Sequence, residues 1–248
     1  MIKIIEINKS YNAAAILQNI SFDIPAGQII ALFGPNGCGK STLLKIIAGL
    51  DKQDSGEIKR IDQDDPNELS AGLVFQDHRF SLLPWMTTRQ NIELALIAKV
   101  KNKKERGEKV DQIIKRLNLG RHENKYPYQI SGGLSQLTAF GRALALDPDI
   151  YLFDEPFSAL DYQSAVKLQQ QFLALWEKEK KSTIIVTHSI EEAILLADQI
   201  IIFSGLPAKI LAIIPNNIPR PRNLEQLGGD LAQGIRQKII SIAQSFLI

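Results

Sequence analysis

Residues Gly34-Pro35-Asn36-Gly37-Cys38-Gly39-Lys40-Ser41 fill the pattern G-x-x-x-x-G-K-[ST] completely. Glycines at this spacing let backbone N–H groups close around phosphate oxygens. A helix starting at Ser41 adds the positive end of its dipole. Lys40 would place a point charge on the β- and γ-phosphates, and the Ser41 hydroxyl is a hard oxygen suited to Mg²⁺. The chemistry implied is that of a nucleoside triphosphate. Asp154-Glu155 directly follow the apolar run Ile150–Phe153. Open parallel sheets bind ligands beyond the carboxyl ends of their strands. Asp154 is therefore expected in the Mg²⁺ shell, through water. Glu155 is expected to orient and polarise an attacking water, a role worth about 10²–10⁴-fold.

Ser131-Gly132-Gly133 lies between these two motifs and opens a helix, making a second place where exposed amides and a hydroxyl can meet an anion. His188 ends the strand Thr183–Thr187, where it can reach the terminal phosphate, and Ser189 after it is a candidate helix cap. His78 and His122 read as ordinary structural residues.

The elements that must hold these groups alternate. Short strands are predicted at 2–7 and 22–24, the second closed by Pro25-Ala26-Gly27. Ile29–Phe33 is continuously apolar, as a strand buried on both faces must be. The glycine loop and a helix from Ser41 to Ala48 follow. Residues 51–68 are polar and read as a surface excursion, and Leu73-Val74-Phe75 as a strand before Gln76. From Pro84 to Asp147 the spacing turns helical, with helices near 88–99, 105–118 and 134–146, the last stopped by Asp147-Pro148. Strands at 150–153, 184–187, 200–203 and 209–213 then alternate with helices at 164–178 and 190–197. Residues 216–230 read as a linker, and 231–247 as an amphipathic helix.

Composition is compatible with one core carrying an insertion. The chain has 248 residues, 45% hydrophobic and 23% charged, with a formal net charge of +2. That charge gives no general field for nucleic acid or anionic lipid. Glu105 and Glu108 interrupt the basic run from Lys99 to Lys109, which reads as a solvated helix face. One cysteine excludes an intrachain disulfide and a cysteine-based metal cluster. Charges break up the apolar N-terminus, so it fits a strand better than a signal peptide. Residues 200–214, the best candidate for a membrane span, are too few and carry Gly205, Pro207 and Lys209. A protein of this composition acting at a membrane needs spans from another chain.

The order of these motifs resembles the ATP-binding subunits of ABC transporters, through nearly the whole chain to about residue 215. The resemblance implies an α/β fold: a P-loop NTPase (ABC ATPase) core with a mixed sheet flanked by helices, plus an inserted α-helical subdomain. It divides the chain into a first core part (1–83), the helical insert (84–148), a second core part (149–215) and a C-terminal linker and helix (216–248). Tyr11 matches the aromatic that stacks on adenine, worth about 1–3 kcal/mol. Gln76 matches the glutamine that reaches Mg²⁺ and senses the membrane partner. Ser131-Gly132-Gly133 matches the signature motif, Ser158-Ala159-Leu160-Asp161 the loop crossing the dimer interface, and His188 the switch histidine. By this resemblance the catalytic set is Glu155, His188, Lys40 and Gln76. The ATP site comprises Tyr11, Gly34, Pro35, Asn36, Gly37, Cys38, Gly39, Lys40, Ser41, Thr42, Ser131, Gly132, Gly133 and Asp161, and the Mg²⁺ ligands are Ser41, Gln76 and Asp154. ATP would close a head-to-tail homodimer, and hydrolysis would release it.

The chain departs from the family at the signature, where Leu134 and Leu137 replace glutamine and arginine. Slower turnover or weaker signature-side affinity is expected, with a gain of rate in Leu134→Gln/Leu137→Arg. Alkylation of Cys38 is expected to block ATP binding. The segment Val74–Thr87, with Leu83-Pro84-Trp85, and the tail Ile218–Arg222 resemble the nitrate, sulfonate and taurine importers. That subgroup implies a separate permease docking a coupling helix here, an extracytoplasmic substrate-binding protein, and a place on the cytoplasmic face of the membrane. Export or lipid-extruding ABC ATPases, and non-transport ABC proteins, are the alternatives.

Overall fold

The computed structural model describes residues 1–61, 69–76 and 81–244. Its centre is a six-stranded sheet in the order β5 (Ala71–Val74), β6 (Ile150–Asp154), β7 (Ser182–Thr187), β3 (Ile29–Phe33), β8 (Gln199–Phe203) and β9 (Ile210–Pro215). The first five strands are parallel, and β9 returns antiparallel along β8. Alternate residues of each central strand serve different cores. Ile30, Leu32, Ile184, Val186, Ile150 and Leu152 face one side, and Ile29, Ala31, Ile185, Tyr151 and Phe153 the other.

The first side is covered by a three-stranded antiparallel sheet, β2 (Ala14–Ile24), β1 (Ile2–Tyr11) and β4 (Ser55–Arg60), and by α1 (Lys40–Ile47). The second side packs against α2 (Thr88–Leu94), α3 (Lys103–Arg116), α4 (Gly132–Leu146), α5 (Tyr162–Glu179), α6 (Ile190–Leu196) and α7 (Asp230–Gln244). Helices α2 to α4 all fall between β5 and β6 in the chain. Phe140 of α4 meets Phe153 of β6 edge-on at 4.9 Å between centroids, and Phe153 meets Phe172 of α5 at 5.2 Å. These contacts fasten α4 to the central sheet. Among the described residues no helix is long and apolar enough to cross a membrane.

Several expectations need correcting. The strand expected at 22–24 begins at Ala14, and the one expected at 2–7 runs to Tyr11. Within the supposed excursion 51–68, Ser55–Arg60 is a strand paired with β1; residues 62–68 lie outside the described ones. Helix α2 stops at Leu94, five residues early, because the chain tightens there into i→i−3 turns, with Leu96 N–H donating to Glu93 O at 2.9 Å. Helix α3 starts before residue 105 because the Asn102 side chain accepts from the amides of Lys104 and Glu105. Residues 216–222 are no loose linker. Asn216 and Arg222 are buried, donating to carbonyls at the end of α6 and to Asp198. His78 and residues 245–247 of the helix expected at 231–247 lie outside the described residues.

Candidate functional site

The register of the parallel strands brings four loops to one edge of the sheet. Phe33 lies beside Thr187, Asp154 beside Val186, and Val74 beside Phe153. The segments leaving those strands carry Gly34, His188, Glu155 and Gln76.

The phosphate loop depends on two glycines with left-handed backbone. Gly37 has φ 76° and Gly39 φ 110°, where a side chain is strained. A Cβ on Gly39 would also lie 2.9 Å from Leu17 Cδ2. The Lys40 ammonium is buried and donates to the carbonyls of Gly34 at 2.8 Å and Pro35 at 2.7 Å. Beside it opens a cleft of about 420 Å³ lined by Tyr11, Asn36, Gly37, Ser41, Thr42, Gln76 and Glu155, among others. Cys38 points the other way. Its thiol is buried and receives the Lys40 ammonium at 3.8 Å. Burial pushes its pKa up, which makes it a poor nucleophile. Burial of the thiol runs against the expectation that it reacts readily.

Asp154 is buried at the end of β6 and accepts a hydrogen bond from Ser41 Oγ at 3.0 Å. Burial holds its pKa above the usual carboxylate range, and the Ser41 bond works against that rise. Two hard oxygens, one a buried carboxylate whose charge is disfavoured, fit a divalent cation.

Glu155 sits on left-handed backbone, φ 46°, pinned by its amide to Val186 O at 3.1 Å. Non-glycine residues held there concentrate at functional sites. Its Oε2 accepts from Gln76 Nε2 and from His188 Nδ1, both at 3.1 Å. An ionised carboxylate can only accept, so Nδ1 carries the hydrogen in this contact. One carboxylate thus joins segments from β5, β6 and β7 at the mouth of the phosphate loop.

This arrangement agrees with comparisons to known proteins. The ABC transporter family profile matches residues 17–158. The chain belongs to the ABC transporter family. It is 42% identical over 237 residues to the aliphatic sulfonates import ATP-binding protein SsuB of Bacillus cereus, covering 94% of this chain and 90% of that one. The nitrate import ATP-binding protein NrtC of Synechococcus elongatus is 37% identical over 92% of this chain, which spans 35% of NrtC. Among solved structures, the dimeric post-hydrolysis state of the ATP-binding cassette MJ0796 bound to ADP and Pi superposes with a TM-score of 0.75. It is 33% identical and covers 88% of this chain and 100% of that one.

Not every expected residue of this ABC ATPase reaches the cleft. Ser131 caps α4, its hydroxyl accepting from the Leu134 amide at 3.4 Å, and none of Ser131, Gly132 and Gly133 lines the cleft. Asp161 likewise caps α5, accepting from the Ser164 amide at 3.0 Å. Ser164 holds its pKa below the ordinary value. Leu137 is 6% exposed and belongs to the helical-side core, against which Leu134 also packs. They are packing residues here, and an arginine at 137 would be buried.

Two groups around the site went unread in the sequence. Glu192 of α6 is a half-buried carboxylate near His188. It accepts from Thr187 Oγ1 at 2.6 Å and Gln169 Nε2 at 3.2 Å, while Thr187 Oγ1 accepts from the Ser189 amide at 3.0 Å. Burial raises its pKa. The other group is Lys9 and Asp51, which meet beside Tyr11. The Gln169–Glu192 and Lys9–Asp51 pairings join common residue types remote in sequence, which a single sequence does not mark. Near the Gln76 segment, Phe75 and Trp85 are exposed beside a groove of about 590 Å³ lined by Leu73, Phe75, Leu94, Ala95, Arg142 and Leu146, among others.

Proposed function

We propose that this ABC ATPase couples hydrolysis of Mg-ATP to import of a small oxyanion, an organosulfonate or nitrate, through a separate permease. The observation that carries the catalytic part is the Glu155 carboxylate, held at the phosphate loop by both Gln76 and His188. Glu155 orients the attacking water and draws on its proton. His188 faces the terminal phosphate, and the Lys40 ammonium leaves the loop carbonyls for the β- and γ-phosphates. Tyr11 gives its ring to the base, and the amides of residues 34–42 bind the phosphates. Ser41, Asp154 and Gln76 would hold Mg²⁺, which when bound neutralises charge on the phosphates.

Because its own Ser131-Gly132-Gly133 and Asp161 stand outside the cleft, a second copy would supply them across a head-to-tail homodimer. The partition 1–83, 84–148, 149–215 and 216–248 describes the working units, with the helical insert turning against the core. Exposed Phe75 and Trp85 beside the groove suit a permease helix, so the subunit would work on the cytoplasmic face of the membrane. An extracytoplasmic binding protein completes the system, and nucleic acid has no part in it. The likeness to SsuB and NrtC favours sulfonate or nitrate as cargo.

The test is reconstitution with a permease of the sulfonate or nitrate import type. Vesicles should accumulate an alkanesulfonate or nitrate only with ATP on the cytoplasmic side, and Glu155→Gln should abolish uptake. ATP-driven efflux of either anion, or uptake undiminished in Glu155→Gln, would refute the proposal.

A further inference from the structure

From the contacts beside Tyr11 we infer that Asp51 and Lys9 are positioning residues that set the aromatic platform for the nucleotide base. The inference rests on the reading of Tyr11 given under Proposed function. Tyr11 stands at the tip of the β1–β2 hairpin, opposite Ala14 and just before Asn12 and Ala13, both left-handed. The residue is 43% exposed. A ring on a hairpin tip gains little orientation from packing, and stacking on a base demands a fixed plane.

Polar contacts supply that orientation. The Tyr11 hydroxyl donates to Asp51 Oδ2, while Asp51 Oδ1 accepts from Lys9 Nζ at 2.9 Å. The same ammonium donates to Lys52 O at 2.6 Å and lies 4.8 Å from the centroid of the Tyr11 ring. It therefore covers one face of the ring and leaves the other for a planar base. Asp51 itself follows the end of α1, its amide donating to Lys45 O at 3.2 Å. Asp54 strengthens the join, accepting from the Ser10 amide at 2.7 Å and donating its own amide to Asn8 O at 2.8 Å. Helix α1 begins at Lys40 in the phosphate loop. The tether thus runs from the base platform to the far end of the helix whose first turn meets the phosphates, and it sets the spacing between the two.

This predicts a split by ligand. Equilibrium binding of Mg-ATP and of Mg-tripolyphosphate, which has no base, should be measured on the full chain for Asp51→Ala, Asp51→Asn, Tyr11→Phe and Tyr11→Ala. Asp51→Ala and Tyr11→Phe should each weaken ATP by about three- to ten-fold and tripolyphosphate by less than about two-fold. Combining them should be no worse than either alone, and Asp51→Asn should recover part of the loss through its carbonyl. Equal weakening of both ligands by Asp51→Ala would make Asp51 a loop staple and overturn the inference. Should Asp51→Ala fail to fold, Tyr11→Phe keeps the test alive, since it removes the same hydrogen bond and keeps the ring. If Tyr11→Ala weakens ATP but neither Asp51→Ala nor Tyr11→Phe does, the tether alone falls. If Tyr11→Ala spares ATP, the base reading of Tyr11 falls and takes the tether with it.

Discussion

Replacing Glu192 by alanine should damage both stability and turnover, and the structure sets the scale. The change removes an acceptor from Thr187 Oγ1 and from Gln169 Nε2. A buried donor left unpaired costs about 1–3 kcal/mol. Two such donors, less the relief of burying a carboxylate, leave about 2–3 kcal/mol. In a chain of this size each kcal/mol moves Tm by about 2–4 °C, so the melt should fall by about 4–12 °C. Thr187 and Ser189 flank His188, and a loosening of about 1 Å at a reacting group can cost up to about 10²-fold. Turnover should therefore fall at least about ten-fold while KM for ATP barely moves, because no residue of the network lines the cleft. Glu192→Gln keeps the shape and an acceptor and should lose far less of both.

A pH series sharpens this test. Burial raises the folded-state pKa of Glu192 above its ordinary 4.5. Its ionisation therefore takes stability away as pH climbs from about 4.5 through the raised value. Glu192→Gln lacks that slope and should gain on the parent as pH rises across this window. Thermal melts at a series of pH values and steady-state ATPase assays measure both effects. An alanine variant that melts within about 1 °C of the parent and keeps its turnover would refute the reasoning.

Other outcomes follow from the same geometry. Gly39→Ala, forced onto φ 110° and against Leu17, should lose ATP binding in a direct assay while keeping most of its helix content. Glu155→Gln should bind Mg-ATP but slow hydrolysis by about 10²–10⁴-fold, read by phosphate release. Leu137→Arg should lower the melting temperature rather than raise the ATPase rate, since an unpaired buried charge costs about 3–5 kcal/mol. Asp51 is held to about 2, first by the Tyr11 hydroxyl and then by Lys9. Its contribution to folding is therefore complete above its ordinary 3.8 and fades only as pH falls through about 2. The Tyr11 contact, followed as the difference in tyrosine fluorescence between a tryptophan-free variant and the same variant carrying Tyr11→Phe, should survive to pH 4.

The sequence disclosed the groups whose chemistry requires fixed spacing along the chain. The glycine loop, the acidic pair and His188 all lie where short motifs and the carboxyl ends of apolar strands put them. Strands β3, β6 and β7 were plain because both faces are buried and each has a continuous apolar centre. Strand β4 was hidden because Ser55-Gly56-Glu57 is exposed and polar, and its evidence is its partner. Gly56 crowds β1 so closely that a Cβ would lie 2.4 Å from Glu6 O. Most of β2 faces solvent on alternate residues, which masked its length. The Gln169–Glu192 and Lys9–Asp51 contacts were hidden for another reason, since their partners are remote in sequence. The burial of Cys38 was not legible either, since the fold around the loop and not the residue type decides it.

The knot around Asp198 governs how the protein can be handled. Its carboxylate accepts from the Ile29 amide at 2.9 Å on one oxygen and from Arg220 and Arg222 on the other. A shortened version ending at residue 215 would strip both guanidinium partners from that acid and, by removing Ile218 and α7, uncover the core face they pack against. Fluorophores, affinity handles or fusion partners should therefore leave residues 216–244 in place.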